Sequence, residues 1–97
     1  MADCRIRYIT KSAWGNTHEH ITHVGDTNWK LTREQAIASI EAKQNTFYVL
    51  DSRTGKRANV GVVYPTNGKA YLRTHADGYW NDNLLALPGF PVSSLYP

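Results

Sequence analysis

Short β-prone runs separated by glycine-bearing turns fill the second half of the chain, and that spacing restricts the fold more than any other feature. TFYVLD, ANVGVVY and KAYLRTHA are rich in β-branched and aromatic residues. SRTGKR separates the first run from the second, with Gly55 as the natural site of positive φ. TNGK separates the second from the third, and its Asn67-Gly68 pair is the strongest hairpin signal in the chain. Pro65 ends the second run because it has no N–H for a ladder, and Asp77-Gly78 turns the chain after the third. Three runs joined by tight turns predict an antiparallel meander. Side chains alternate along a strand, so Val60, Val62 and Tyr64 share a face. In the third run Ala70, Leu72 and Thr74 point one way, and Tyr71, Arg73 and His75 the other.

The first half adds two strands and one helix. Alternation through RIRYIT predicts a strand over about residues 4–10, followed by a loop, KSAWGN, that turns at Gly15 and Asn16. HEHITHV predicts a second strand, closed by Gly25 and Asp26. LTREQAIASIEAKQN carries the helical signature: Thr32 as N-cap, Gln35 three residues on, and a narrow stripe of Ala36, Ile37 and Ile40. Lys43 suits the negative end of the helix dipole, and Asn45 can take the left-handed closing conformation. Leu84, Leu85 and Leu87 are expected inside, and the tail over residues 91–97 frayed. The expected fold class is α+β, in the order β-β-α-β-β-β, with the helix on one face of the sheet. A single helix covers one face only, which leaves the other wet or reserved for a partner.

Ninety-seven residues suit one domain over 1–97, with an ordered core over about 4–90. Hydrophobic residues at 41% and charged residues at 20% are the balance of a globular chain and not of a disordered one. No apolar run approaches the roughly 18 residues of a membrane span, and MADCRIRYIT has no apolar signal core, so no membrane role is expected. The lone cysteine, Cys4, cannot form an internal disulfide and points to a reducing cytoplasm. A net charge of +3 permits a polyanionic partner without requiring one. Arg53, Lys56 and Arg57 form the densest basic group, on the SRTGKR turn.

The strings WKLTREQAIASIEA, TFYVLDSRTGKRANVGVV and YLRTHADGYWNDNLLALP closely resemble the domain of unknown function 3892 family of small bacterial and phage-associated proteins. The likeness runs from RIRYIT to LALP and is most specific at Thr74, Asp77, Gly78 and Asp82 through Pro88. The resemblance implies a single α+β domain and carries no reaction, cofactor or catalytic residue.

Three groups of residues invite a functional reading. His18 and His20 share a face if HEHITHV is a strand, while His23 has the opposite parity. Two imidazoles begin a metal site, yet zinc needs three or four protein ligands, and local sequence supplies no more than these two plus distant carboxylates. Solvated histidines are the plainer interpretation. HADGYWNDN holds Asp77 and Asp82 with two asparagines, at a spacing unlike that of a calcium loop; side chains capping their own turn explain it as well. Tyr71, Arg73 and His75 in a row, with Tyr79 and Trp80 beside them, offer stacking and phosphate-gripping groups. No nucleophile elbow, phosphate-binding glycine loop or nucleic-acid recognition signature occurs. The leading expectation is a non-enzymatic binding module without cofactor. It would present Tyr71, Arg73, His75, Tyr79 and Trp80 to a protein, a nucleic acid or a small anionic ligand. Two rival readings are a metal-dependent hydrolase built on His18 and His20, and a structural subunit that pairs through LLALPGF into a homodimer.

Overall fold

The opening strand divides in two because it carries apolar residues of both parities. Ile6 and Ile9 are both 1% exposed, and a continuous strand could turn only one of them inward. In the computed structural model, which describes residues 2–12, 15, 17–51 and 53–90, the chain changes sheets between them. β1 (Ala2–Arg5) belongs to one sheet and β2 (Tyr8–Lys11) to another. The Ile6 N–H donates to the Tyr48 carbonyl of the first sheet at 2.8 Å, and the next residue, Arg7, donates to Gly25 of the second at 2.9 Å. The single strand expected over 4–10 is corrected accordingly.

A 3-10 turn over His18–His20 then leads into β3 (Ile21–Gly25), so the expected strand HEHITHV begins three residues late. After a tight turn, β4 (Lys30–Thr32) pairs antiparallel to β3, a strand that the polar GDTNWK segment does not announce. Helix α1 (Arg33–Glu41) starts on a complete capping box. Thr32 Oγ1 accepts from the Gln35 N–H at 3.1 Å, and Gln35 Oε1 accepts from the Thr32 N–H at 2.9 Å. Lys43, at φ 57, takes the left-handed position that was expected of Asn45. The Lys43 N–H reaches back to Ile40 and the Gln44 N–H to Ser39, which closes the helix in a Schellman arrangement. Asn45 instead opens the next strand.

β5 (Asn45–Leu50), β6 (Arg57–Val63), β7 (Tyr71–Ala76) and β8 (Tyr79–Asn81) complete the first sheet, ordered β1-β5-β6-β7-β8. β1 lies parallel to β5, and the remaining pairs are antiparallel. Among the described residues the second sheet is β2-β3-β4. Among the described residues the expected β-β-α-β-β-β order therefore grows from five strands to eight, through the division of the first strand and the additions of β4 and β8, and gains a second sheet, while the class, one helix with mostly strands, stands. β8 exists because Asp77 (φ 54) and Gly78 (φ 82) form a two-residue turn whose twist suits a hairpin.

Residues alternating along the first sheet build the core. Phe47 and Val49, Ala58 and Val60, Leu72 and Thr74 are all buried. Ile9, Ile21 and Val24 of the second sheet, Ala36 of α1 and Leu84 pack into the same cluster, and α1 touches both sheets. Leu84 is fully buried, whereas Leu85 and Leu87 are half-buried against the cluster. The Cα radius of gyration, 12.9 Å, is that of a compact chain, about 12.5 Å for this length. The expectations for Trp14, Asn16, Ser52 and the tail over 91–97 lie outside the described residues.

Candidate recognition face

The strand register that buries one set of side chains assembles another on the outer side of the first sheet. Arg5 pairs with Tyr48, Tyr48 with Asn59, Asn59 with His75 and His75 with Trp80. These five residues therefore form one transverse row across all five strands. At about 4.8 Å per strand, the backbones at Tyr48 and Trp80 are roughly 14 Å apart.

Trp80 lies across its neighbours instead of projecting from the edge. Its ring centroid is 5.4 Å from that of His75, at an interplanar angle of 77°. A Cβ on Gly61 would stand 3.2 Å from His75 Cδ2 and 3.3 Å from Trp80 Cη2. The indole thus reaches over β7 to β6, and the absence of a side chain at Gly61 lets both rings settle onto the sheet. Trp80 is still 47% exposed, and it borders an open hollow of about 230 Å³ lined by His75, Gly78 and Trp80. Tyr79, of opposite parity, is 77% exposed.

At the other end of the row, Arg57 lies over Tyr48, its guanidinium carbon 4.2 Å from the ring centroid. It is held there from two sides. Its Nη1 and Nη2 donate to the two Asp3 carboxylate oxygens at 2.6 and 3.0 Å, and its Nε donates to Asn59 Oδ1 at 2.9 Å. The Arg57 hydrogen bonds, with a further one from Thr46, hold the Asp3 carboxyl below its usual range. Arg57 was expected on a turn with Arg53 and Lys56; it opens β6 instead, and only the other two remain on the turn.

The expected row of Tyr71, Arg73 and His75 is on this face, but only His75 joins Trp80. Arg73 bends toward the sheet edge, where Nε donates to the Asn81 carbonyl at 3.2 Å and Nη2 to Asp82 Oδ1 at 3.1 Å. Tyr71 is stacked at 6.4 Å by His18, carried there by the 3-10 turn that packs on β7. A bare flank is thus corrected to a face whose Tyr71 end is closed and whose Trp80 end is open.

His18 Nε2 comes within 3.3 Å of Asp82 Oδ1, the oxygen that also accepts from Arg73, without making a hydrogen bond to it. Burial first, and the Arg73 charge second, lower the His18 pKa from its ordinary 6.5, and Asp82 only partly opposes them. His20 has other partners: its Nδ1 lies 2.8 Å from Thr17 Oγ1, and its ring fills the space a Cβ on Gly15 would need. His23 Nδ1 meets Thr22 Oγ1 at 2.9 Å. Among the described residues no three His, Cys, Asp or Glu side chains gather as a metal-holding group.

Inside the HADGYWNDN segment the polar side chains serve the turn. Asn81 Oδ1 accepts from Thr74 Oγ1 and from the Asn83 N–H, and Thr74 Oγ1 accepts from the Leu84 N–H at 3.1 Å. Those bonds carry the chain from β8 into the core at Leu84.

Tyr48, Asn59 and Gly61 are the members of the face that sequence reasoning missed, and Arg57 was assigned to the basic turn. Their parity was readable within each strand, but their alignment with Trp80 needed the register. No helix of the described residues is long and apolar enough to cross a membrane. No curated protein and no solved structure matches the chain. The family model described as Protein of unknown function (DUF3892) matches residues 5–88 of the 97, and the chain belongs to that family.

Proposed function

We propose that this protein is a non-catalytic recognition module that takes a flat ring of its ligand onto the outer face of the first sheet, at the Trp80 end of the transverse row. One observation carries the reading. Trp80 is held by His75 over Gly61, with 47% of its surface in solvent and an open hollow beside it. An apolar ring so exposed adds little to folding, and aromatic side chains fixed at such positions are what contact surfaces use as anchors. The platform is pre-organised, so a ligand would spend little of its binding energy on ordering it. Asn59 and His75 lie between the two ends of the row and supply hydrogen-bonding groups for orientation.

A titration of isotopically labelled protein, followed by nuclear magnetic resonance, tests this reading with nucleosides, short oligosaccharides and aromatic peptides. Shifts are expected to cluster on Tyr48, Asn59, Gly61, His75 and the Trp80 indole N–H, and to vanish in Trp80→Ala. Shifts confined to other surfaces, or none with any ring ligand, would remove the proposal.

A further inference from the structure

We infer that the ligand of the outer face is single-stranded nucleic acid, an inference that rests on the recognition-face reading above. The face holds two flat platforms rather than one. The first is the half-exposed Trp80 indole. The second is the Arg57 guanidinium, which Asp3 and Asn59 fix over the Tyr48 ring. Indole and guanidinium planes both stack on nucleobases, and they do so with little regard for sequence, since every base has a π-face.

Between the platforms, Asn59 Oδ1 accepts from Arg57 Nε, and the Asn59 amide nitrogen has no protein partner among the described residues. That N–H pair can donate to a base carbonyl. Arg57 and Arg73 are neutralised by Asp3 and Asp82, so neither is a free phosphate clamp. Two further cations lie on the rim. Arg53 and Lys56 occupy the turn that joins β5 and β6, the two strands that carry Tyr48 and Asn59. The Arg53 side chain is 89% exposed, and its carboxylate neighbour, Asp51, stays 4.0 Å away while accepting from the Arg53 and Thr54 backbone N–H groups. Bases on the row and phosphates at the turn account together for the aromatic face, the rim cations and the net charge of +3. A duplex would keep its bases stacked internally and could not use the platforms.

Fluorescence anisotropy of labelled oligo-uridine and oligo-deoxythymidine of roughly 10 nucleotides, with the full chain, tests the inference. Both strands should bind, more tightly than a duplex of equal length; their ratio reports whether the 2′-hydroxyl is used. With two phosphates neutralised, the slope of log affinity against log salt should be about −1.4, and it should flatten in the double variant Arg53→Ala, Lys56→Ala. Trp80→Ala should weaken binding about 5- to 100-fold, and Trp80→Phe should restore most of it. Circular dichroism of each variant keeps loss of fold apart from loss of binding. Absence of binding by either strand at low salt overturns the inference, as does binding unaffected by Trp80→Ala. In the first case, Trp80-dependent resonance shifts with an oligosaccharide or peptide would leave the recognition face standing, whereas no shifts with any ring ligand would remove both.

Discussion

The two faces of the five-stranded sheet are built from alternate residues of the same strands, and their side chains are held by different forces. On the inner face, Phe47, Val49, Val60 and Leu72 are excluded from water, and each contributes roughly 1.5–3 kcal/mol by burial. On the outer face, Tyr48, Arg57, Asn59, His75 and Trp80 are fixed by each other and by Asp3, through a cation–π contact, a bidentate ion pair and an edge-to-face ring contact, while remaining in reach of solvent. Exposed interactions of that kind stabilise little. The comparison teaches that one face sets whether the chain folds and the other what it presents, so substitutions one residue apart should have separable effects.

Replacing Leu72 or Leu84 by Ala should give the largest loss of stability, about 2–5 kcal/mol by chemical denaturation, because both are fully buried in the shared core. A loss under about 1 kcal/mol at both would mean that the inner face is not the stabilising one. Thr74→Val comes next, at about 1–3 kcal/mol. It keeps the shape but deprives the Leu84 N–H and the Asn81 side chain of their buried partner. Removing the N-cap with Thr32→Ala should cost about 1 kcal/mol.

The His18 cluster, where the 3-10 turn meets the outer face, makes a prediction about pH. His18 has a lowered pKa in the folded protein, so on acidification the unfolded chain binds its proton first. Its contribution is therefore complete above the ordinary value of 6.5 and declines as pH falls below it. Melting followed from pH 7.5 to about 5 should show this decline in the wild type and less of it in His18→Gln. The Asp3 and Asp51 carboxyls, held below their ordinary 3.8, add a separate loss that begins only in more acidic solution. Smallest of all should be Asp3→Asn. It frees Arg57 from its fixed plane and is expected to leave the melting midpoint nearly unchanged while weakening capture of an oligonucleotide.

Sequence made local chemistry legible and long-range register illegible. The capping box at Thr32 and Gln35, the turns at Gly55 and Gly78, and the parity of Leu72 and Thr74 against Tyr71, Arg73 and His75 each rest on neighbours in the chain. The division of RIRYIT was also present in the sequence, since Ile6 and Ile9 cannot face the same way on one strand, but a strand of ordinary alternation masked it. β4 and β8 are three residues each, too short for any periodic signal. The candidate site shared this fate. His75 and Trp80 were identified as surface residues, yet their platform depends on Gly61, whose role is visible only once β6 lies beside β7. Arg73 attracted attention as a free guanidinium because the hydrogen bonds to Asn81 and Asp82 need the β7–β8 turn to form.

The claim that folding and recognition belong to opposite faces is tested most directly by Trp80→Ala, measured for thermal midpoint and oligonucleotide affinity in the same buffer. The account predicts a midpoint lowered by a few degrees at most, corresponding to about 0.5 kcal/mol or less, together with a loss of affinity of at least about fivefold. A midpoint lowered by about 10 °C or more with affinity unchanged would show that the indole belongs to the folding machinery, and would contradict it.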